Sequence, residues 1–170
     1  AHAAGLHFLK DVMMSHTADT DALIDRLVEI ERRTWKGAGS KDDLGDKSTD
    51  NQDSQPTGIV APDMQVFCRR MTARLIANDR ARITVARLDG EDVGYILGGV
   101  RNGRYRGLQL SYTTEVAPFS VGHLLQLEEL RNLSSTGIAH TYDLGMDIAY
   151  KHAWADRLER SVTLIVERGS

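Results

Sequence analysis

The 170-residue sequence contains a single cysteine, Cys68. That count excludes an internal disulfide and any zinc site built on cysteine pairs. Proline is scarce, with three residues. Long apolar runs are missing: no window approaches the roughly 20 uninterrupted apolar residues a bilayer-crossing helix needs. Neither sign of charge dominates. Lys and Arg number 21 against 24 Asp and Glu, a net charge of -3 and a pI near 6.1, which argues against strong nonspecific attraction to nucleic acid. The six histidines show no HxH or HExxH spacing, so no structural metal is expected. Neither a Gly-x-Ser-x-Gly elbow nor a Walker loop occurs, which argues against a serine hydrolase and a P-loop NTPase. The opening residues, Ala1-His2-Ala3-Ala4-Gly5, hold no basic region followed by an apolar core. No secretory leader is therefore expected, and a reduced, cytoplasmic setting is the default.

What is present describes a folded domain. Apolar residues make up 41 % and charged residues 26 %, with mean hydropathy -0.34. That apolar content can offset the ordering entropy of one full-sized core, and residues 1–170 are expected to form a single domain.

The pattern along the chain alternates between periods. Residues 6–12 read as a first strand. Asp19-Thr20-Asp21 offers helix caps, and Leu23, Ile24, Leu27, Val28 and Ile30 recur at helical spacing, predicting a helix over 20–33 that Gly37 stops. From 37 to 58 five aspartates sit among Gly, Ser, Asn and Gln. This stretch is expected to be a mobile polar loop, functional or a tolerated surface insertion. Pro62-Asp63 opens a second helix to about residue 77, with Cys68 on its apolar side as a small core residue. Strands are predicted at 82–88, 93–100 and 105–116, joined by Asp89-Gly90 and Asn102-Gly103 hairpin turns. A leucine-rich helix starts near Phe119 and ends before Gly137. A strand at 138–144, a helix at 145–154 and a strand at 161–166 complete the order.

An antiparallel meander followed by alternating helix and strand defines an α/β domain with a mixed, mainly antiparallel sheet flanked by about four helices. That order resembles the GNAT acyltransferase fold. Within it, Glu31-Arg32-Arg33-Thr34-Trp35-Lys36-Gly37, Phe119-Ser120-Val121-Gly122-His123-Leu124-Leu125, Tyr142-Asp143-Leu144-Gly145 and Tyr150-Lys151-x-x-Trp154 are similar to strings of the CelD/BcsL type, associated with cellulose or other polysaccharide biosynthesis. The likeness covers roughly residues 23–166. Val121 stands where that family often has Pro, and of the stronger GNAT signature Arg/Gln-x-x-Gly-x-Gly/Ala only Gly122 survives.

The resemblance implies an enzyme that moves an acetyl or other acyl group from acyl-CoA to an amine by direct attack. Helix N-termini hold anions through free amides and the helix dipole. The pyrophosphate would thus meet Phe119, Ser120, Val121, Gly122, His123 and Leu124; the plainer alternative is an ordinary helix start with Ser120 as its N-cap. The resemblance further implies that the strands ending near Val116 and Leu144 splay apart. The pantetheine arm would pair with backbone near Glu115 and Val116. Tyr150 would protonate the leaving thiolate, against the bland reading of a packed tyrosine. Glu31, Asp143, Glu115 and His123 are available as a general base, and each is also readable as a surface or structural group. Trp35 and Lys36 border the polar loop and would line an acceptor pocket with that loop as a lid, the plainer reading of Trp35 being a buried anchor of the helix end. Lys151 would pair with Asp143 or an anionic ligand, or else stand solvated on its helix. The basic turn at 101–106 reads as a solvated hairpin. The acceptor would be a small-molecule or glycan amine, and open sheet edges would suit a homodimer. Two other readings stay open: a non-catalytic domain that keeps the fold for binding or assembly, and an aminoacyl transferase of the Fem type.

Overall fold

Five strands hydrogen-bond in the order in which the chain makes them, β1 to β5. The computed structural model describes residues 5–10, 18–34, 58–160, 162 and 164–166. The elements are β1 (Leu6–Lys10), α1 (Ala18–Arg32), α2 (Pro62–Ile76), β2 (Ala81–Leu88), β3 (Glu91–Arg101), β4 (Arg104–Tyr112), α3 (Val121–Thr136) and β5 (Thr141–Asp143). Short 3-10 turns occupy Gly58–Val60, Thr114–Phe119 and Ala149–Ala153. The first three pairings are antiparallel and the β4–β5 pairing is parallel. The mixed, mainly antiparallel sheet with flanking helices is therefore the architecture expected, the fourth flanking helix being reduced to the 149–153 turn.

Both hairpin signals are realised. Asp89 and Gly90 at one turn, and Asn102 and Gly103 at the other, all take positive φ. That is the geometry of two-residue turns matched to strand twist, which Asn, Asp and Gly tolerate. Two bulges follow from the register. Gly98 pairs with Gly107 and Leu97 with Gln109, leaving Leu108 as the extra residue of β4. Ala86 pairs with Gly94 and Arg87 with Asp92, leaving Val93 as that of β3. Bulges bend a strand and strengthen its twist, so β4 curves at the point where it nears the site described below.

Each face of the sheet is covered. On one, Leu23, Ile24, Leu27 and Ile30 of α1 and Cys68 of α2 pack with Ile59 on Ile83, Val85, Tyr95 and Leu97. On the other, Val121 and Leu125 of α3 pack on Ala86, Val93 and Ile96. Fully burying a leucine or isoleucine side chain stabilises the fold by about 1.5–3 kcal/mol. The helical spacing seen in α1 is thus the contact list of one face. The heptad-like leucines of α3 divide differently: Leu125 and Leu133 are buried, and the buried positions between them are Gln126 and Glu129.

Several boundaries differ from expectation. The third strand stops at Tyr112 rather than 116. Thr113 N still bonds Val93 O at 2.8 Å, but the chain then winds into the 3-10 turn holding Pro118, which has no amide to give a ladder. The strand expected over 138–144 shortens to three residues, and Ile138 is exposed. The helix expected over 145–154 contracts to Ala149–Ala153, because Gly145 takes φ +80° and Ile148 is extended. The strand expected over 161–166 is not formed at residues 162 and 164–166, where Val162, Leu164, Ile165 and Val166 are exposed. Branched apolar residues suit a strand only where an edge receives them, and no described backbone pairs with these. The mobile loop expected over 37–58 falls, up to residue 57, outside the described residues.

Candidate active site

The site begins where β5 ends and β4 runs on. Their backbones pair at Arg104–Thr141, Tyr105–Tyr142 and Arg106–Asp143 and nowhere beyond among the described residues. The pairing is anchored by packing: Tyr105 is fully buried, and its ring lies 4.7 Å from that of Tyr142. A Cβ on Gly98 would stand 2.3 Å from the Tyr105 hydroxyl, so Gly98 makes room for that ring. From Gly107 to Tyr112, β4 continues with no described strand on its β5 side. An unpaired strand edge carries a row of free amides and carbonyls. The two strands expected to splay apart do not: β5 pairs along its whole three-residue length and ends at Asp143, so the opening is the unpaired edge of β4 beyond that end.

The chain leaving β4 brings a helix tip to the same opening. Ser120 occupies the N-cap position of α3 in the left-handed region (φ +55°) and makes no side-chain capping bond. Its carbonyl accepts from His123 N and Leu124 N at 2.9 and 3.1 Å and its own N donates to Ala117 O at 3.1 Å, so Val121 N and Gly122 N are the first-turn amides with no described backbone acceptor. The reading of Ser120 as a conventional N-cap is thereby corrected: its hydroxyl does not satisfy the first turn. Phe119, Ser120 and His123 are exposed, Gly122 and Leu124 half-buried, and Val121 and Val116 buried in the core. Gly122 has a definite structural reason. A Cβ there would lie 2.7 Å from Cε1 of Tyr112 and 3.4 Å from Cδ2 of Leu110, so the missing side chain lets α3 sit close on β4.

The far lip is the chain after β5. Asp143 accepts from Arg106 Nη1 at 2.9 Å and from Gly145 N at 2.8 Å, with Arg104 at 4.0 Å. Lys151 donates to the carbonyls of Leu144 and Met146 at 2.7 and 3.1 Å. Burial and then the charge of Arg106 hold its ammonium below the ordinary lysine range, with Asp143 opposing. Lys151 thus braces the turn that follows β5. Trp154 stacks on His123, ring centroids 5.8 Å apart, joining the lip after β5 to the first turn of α3. Tyr150 lies in the 149–153 turn; its side chain lies outside the described residues, as do Trp35 and Lys36.

Glu31 stands apart from both lips, on the sheet face covered by α1 and α2. It is fully buried. Gln109 Nε2 donates to both its carboxylate oxygens at 3.1 and 3.2 Å, Ile59 N donates to Oε1 at 3.4 Å, and the Tyr95 hydroxyl donates to Oε2. Burial, and then the Glu31 carboxylate, push the Tyr95 phenol well above its ordinary range. The same two causes raise the Cys68 thiol.

Three groups escape sequence reading. Gln109 and Tyr95 sit in strands whose alternation marks them only as inward-facing. Arg33 ties the end of α1 to the loop after β4: its carbonyl accepts from Thr114 N at 3.3 Å, and Nη1 lies 3.8 Å from Glu115. Glu115 also accepts from the Thr113 hydroxyl at 3.0 Å. Only the strand register and the bulge at Leu108 could have pointed to Gln109.

A mixed sheet whose fourth strand runs on past the end of the fifth, with the start of α3 packed on it, fits the acetyltransferase class. A family model, the acetyltransferase (GNAT) domain, matches residues 8–152. The chain belongs to the GNAT acetyltransferase domain family. Solved structures share the fold at low identity. An aminoglycoside acetyltransferase from an uncultured soil metagenomic sample, in complex with sisomicin, is 12 % identical, with TM-score 0.58 over 99 % of this chain and 100 % of that one. The GCN5-related N-acetyltransferase of Ralstonia eutropha is 14 % identical, with TM-score 0.56 over 94 % and 99 %. The aminoglycoside antibiotic 6'-N-acetyltransferase AAC(6')-Ih of Acinetobacter baumannii is 12 % identical, with TM-score 0.55 over 97 % and 100 %. A search of curated proteins finds no match.

Proposed function

We propose that this protein transfers an acetyl group from acetyl-CoA to the primary amine of a small molecule. The observation that carries this reading is the unpaired edge of β4 beyond Arg106, where β5 ends, beside the first turn of α3, in which Gly122 is half-buried and His123 exposed. The amides of that turn suit the pyrophosphate, with Ser120, Gly122 and His123 around it. The open β4 edge from Gly107 onward suits the amides of pantetheine, which adds to a sheet edge as a strand does. Glu115 and Val116, expected on that edge, lie instead in the 3-10 turn after β4, where Val116 N donates to Thr113 O at 3.2 Å. The amine attacks the thioester carbonyl, a C–N bond forms and the C–S bond breaks. The thiolate takes a proton from Tyr150, the amine proton passes to water at the mouth, and the Tyr150 phenolate is reprotonated from that water, so the enzyme is returned unchanged. Holding both substrates in place supplies much of the rate.

Acceptor contacts are assigned to Trp35 and Lys36, which directly follow Thr34. Lys151 and Asp143 are assigned to shaping the lip after β5. Aminoglycoside acetyltransferases among the structural neighbours favour a small polyamine-like acceptor. The CelD/BcsL-like strings favour an amino sugar of a glycan, and both are sugar-borne amines. The test is calorimetric titration with acetyl-CoA, followed by thiol release with sisomicin as acceptor probe. Micromolar binding and acceptor-dependent release are expected. Absence of binding at millimolar acetyl-CoA overturns the reading in favour of a non-catalytic domain.

A further inference from the structure

We infer that Glu31 is a positioning residue: its buried carboxylate staples the end of α1 and the chain leading into α2 to the middle of β3 and to the bulge of β4, and so fixes the acceptor side of the cleft relative to the donor edge. This rests on the acetyl-transfer reading above.

The geometry is that of a built junction. Four separate segments meet at one carboxylate: α1 through Glu31 itself, the 58–60 turn through Ile59 N, β3 through the Tyr95 hydroxyl, and β4 through Gln109. Gln109 is the residue next to the extra residue of the bulge, Leu108, on the strand whose far edge lies open to the cleft. The backbone around Glu31 is held as well, its carbonyl accepting from Thr34 Oγ1 at 2.7 Å and Thr34 N at 3.1 Å. Gly58 fits nothing larger: it takes φ +65°, and a Cβ there would stand 2.2 Å from Glu31 Oε1. A surface acid tolerates substitution around it. This one is enclosed on each side by donors or by a glycine that clears its path.

The same contacts speak against Glu31 as the base that accepts the amine proton. The residue has no exposed surface, and both oxygens already take hydrogen bonds from neutral donors. A base must stand within hydrogen-bond reach of the proton it removes, or one water away. Burial of a charged group in a satisfied network does fit a structural junction, since such a network rigidifies the elements it joins.

Three variants separate the roles. Glu31→Gln keeps the shape, its oxygen accepting from Gln109 and Ile59 and its amide donating to the Tyr95 oxygen. Glu31→Ala removes the staple, and Gly58→Ala forces the turn away from it. The expected result with sisomicin is an acceptor KM raised at least tenfold in Glu31→Ala and Gly58→Ala. Their acetyl-CoA Kd should stay within threefold of the parent. Glu31→Gln should restore the acceptor KM to within threefold, with the pH dependence of kcat unchanged. A hundredfold loss of kcat in Glu31→Gln at unaltered acceptor KM overturns the proposal and makes Glu31 a base. An equal loss of acetyl-CoA affinity in Glu31→Ala and Gly58→Ala also overturns it, as general damage to the fold. Backbone amide hydrogen exchange at Ile59, whose N–H donates to Glu31 Oε1, reads the staple without any turnover. Exchange at least tenfold faster in Glu31→Ala, but not in Glu31→Gln, supports the junction even should sisomicin fail as an acceptor. Unchanged exchange in Glu31→Ala overturns it.

Discussion

Tyr105 and Tyr142 face each other across β4 and β5, ring centroids 4.7 Å apart, one residue before the two strands make their last described pairing. The aromatic pair clamps β5 onto β4, and Val100 and Leu133 pack around it. Truncating Tyr142 to Ala should cost about 2–4 kcal/mol, somewhat below the usual range for a fully buried aromatic because Tyr142 is half-buried. Acetyl-CoA affinity should fall as well, because the place where β5 ends beside the open β4 edge is no longer fixed. Tyr142→Phe keeps the ring contact and should retain both properties. Thermal melts and calorimetry on the two variants check this.

The sheet and its order were legible because period-2 alternation and two Gly-containing turns mark a meander directly. The α1 and α2 faces were legible from helical spacing. The C-terminal third was misjudged in length. Residues 138–144 and 161–166 carry strand composition, yet a strand exists only where another backbone offers its edge. Glu31 was legible as a notable acid, but its burial was not. Its partners Tyr95 and Gln109 lie 64 and 78 positions away, and only the fold brings them to it. Ser120 and Gly122 marked the helix tip correctly. The reason for Gly122, the ring of Tyr112, depends on a cross-element contact that no local string contains.

Tyr95 supplies a pH signature. Its folded-state value is raised by burial and by Glu31, so the neutral phenol is favoured by the fold. The resulting stability is full below the unfolded value of about 10. It is lost as pH rises above that toward the folded value, at up to about 1.4 kcal/mol per pH unit. Tyr95→Phe should be less stable by about 1–3 kcal/mol at neutral pH, since Glu31 loses a donor. The gap between the two proteins should narrow above about pH 10. Denaturant melts at pH 7, 9 and 10.5 measure it.

Asp92 gives the acid-side counterpart. Arg26 Nη2 donates to it at 2.8 Å and Arg87 Nε lies at 3.1 Å, beside a recess of about 420 Å³ between α1 and the β2–β3 turn. The hydrogen bond from Arg26 holds its carboxyl below the usual range, against the opposing effect of burial. Its contribution is therefore present above the unfolded value of about 3.9 and lost as pH falls through the lower folded value. Asp92→Asn should cost about 1–2 kcal/mol at pH 7, discounted for partial exposure of the pair. The cost should shrink progressively as pH falls below about 4. Urea melts across that range decide it.

Tyr150 carries the chemical step in the proposed mechanism. Tyr150→Phe removes one hydroxyl and leaves the ring. With sisomicin and acetyl-CoA, kcat should fall about 10²- to 10⁴-fold, the usual worth of a positioned general acid. The acetyl-CoA Kd should hold within threefold. A variant that turns over at the parent rate assigns thiolate protonation to solvent instead.

Gly122 couples the fold to donor binding, and a pair of substitutions can expose the coupling. A methyl group at this position meets Cε1 of Tyr112 at 2.7 Å, inside any normal contact distance. Either the ring yields or the tip of α3 lifts from β4. Overpacking of this kind costs about 1–3 kcal/mol, or about 2–4 °C in Tm per kcal/mol for a chain of this size. If the tip lifts, its first-turn amides move off the cleft and acetyl-CoA affinity falls together with Tm. Shortening the obstacle should reverse both. Tyr112→Leu in the Gly122→Ala background removes the clashing ring atom, so the double variant should regain Tm and Kd relative to Gly122→Ala alone. A double-mutant cycle with an interaction energy of about 1 kcal/mol or more marks the two residues as one packing unit. Additive losses would instead mean that Gly122 is needed at the tip for its own backbone, independently of Tyr112.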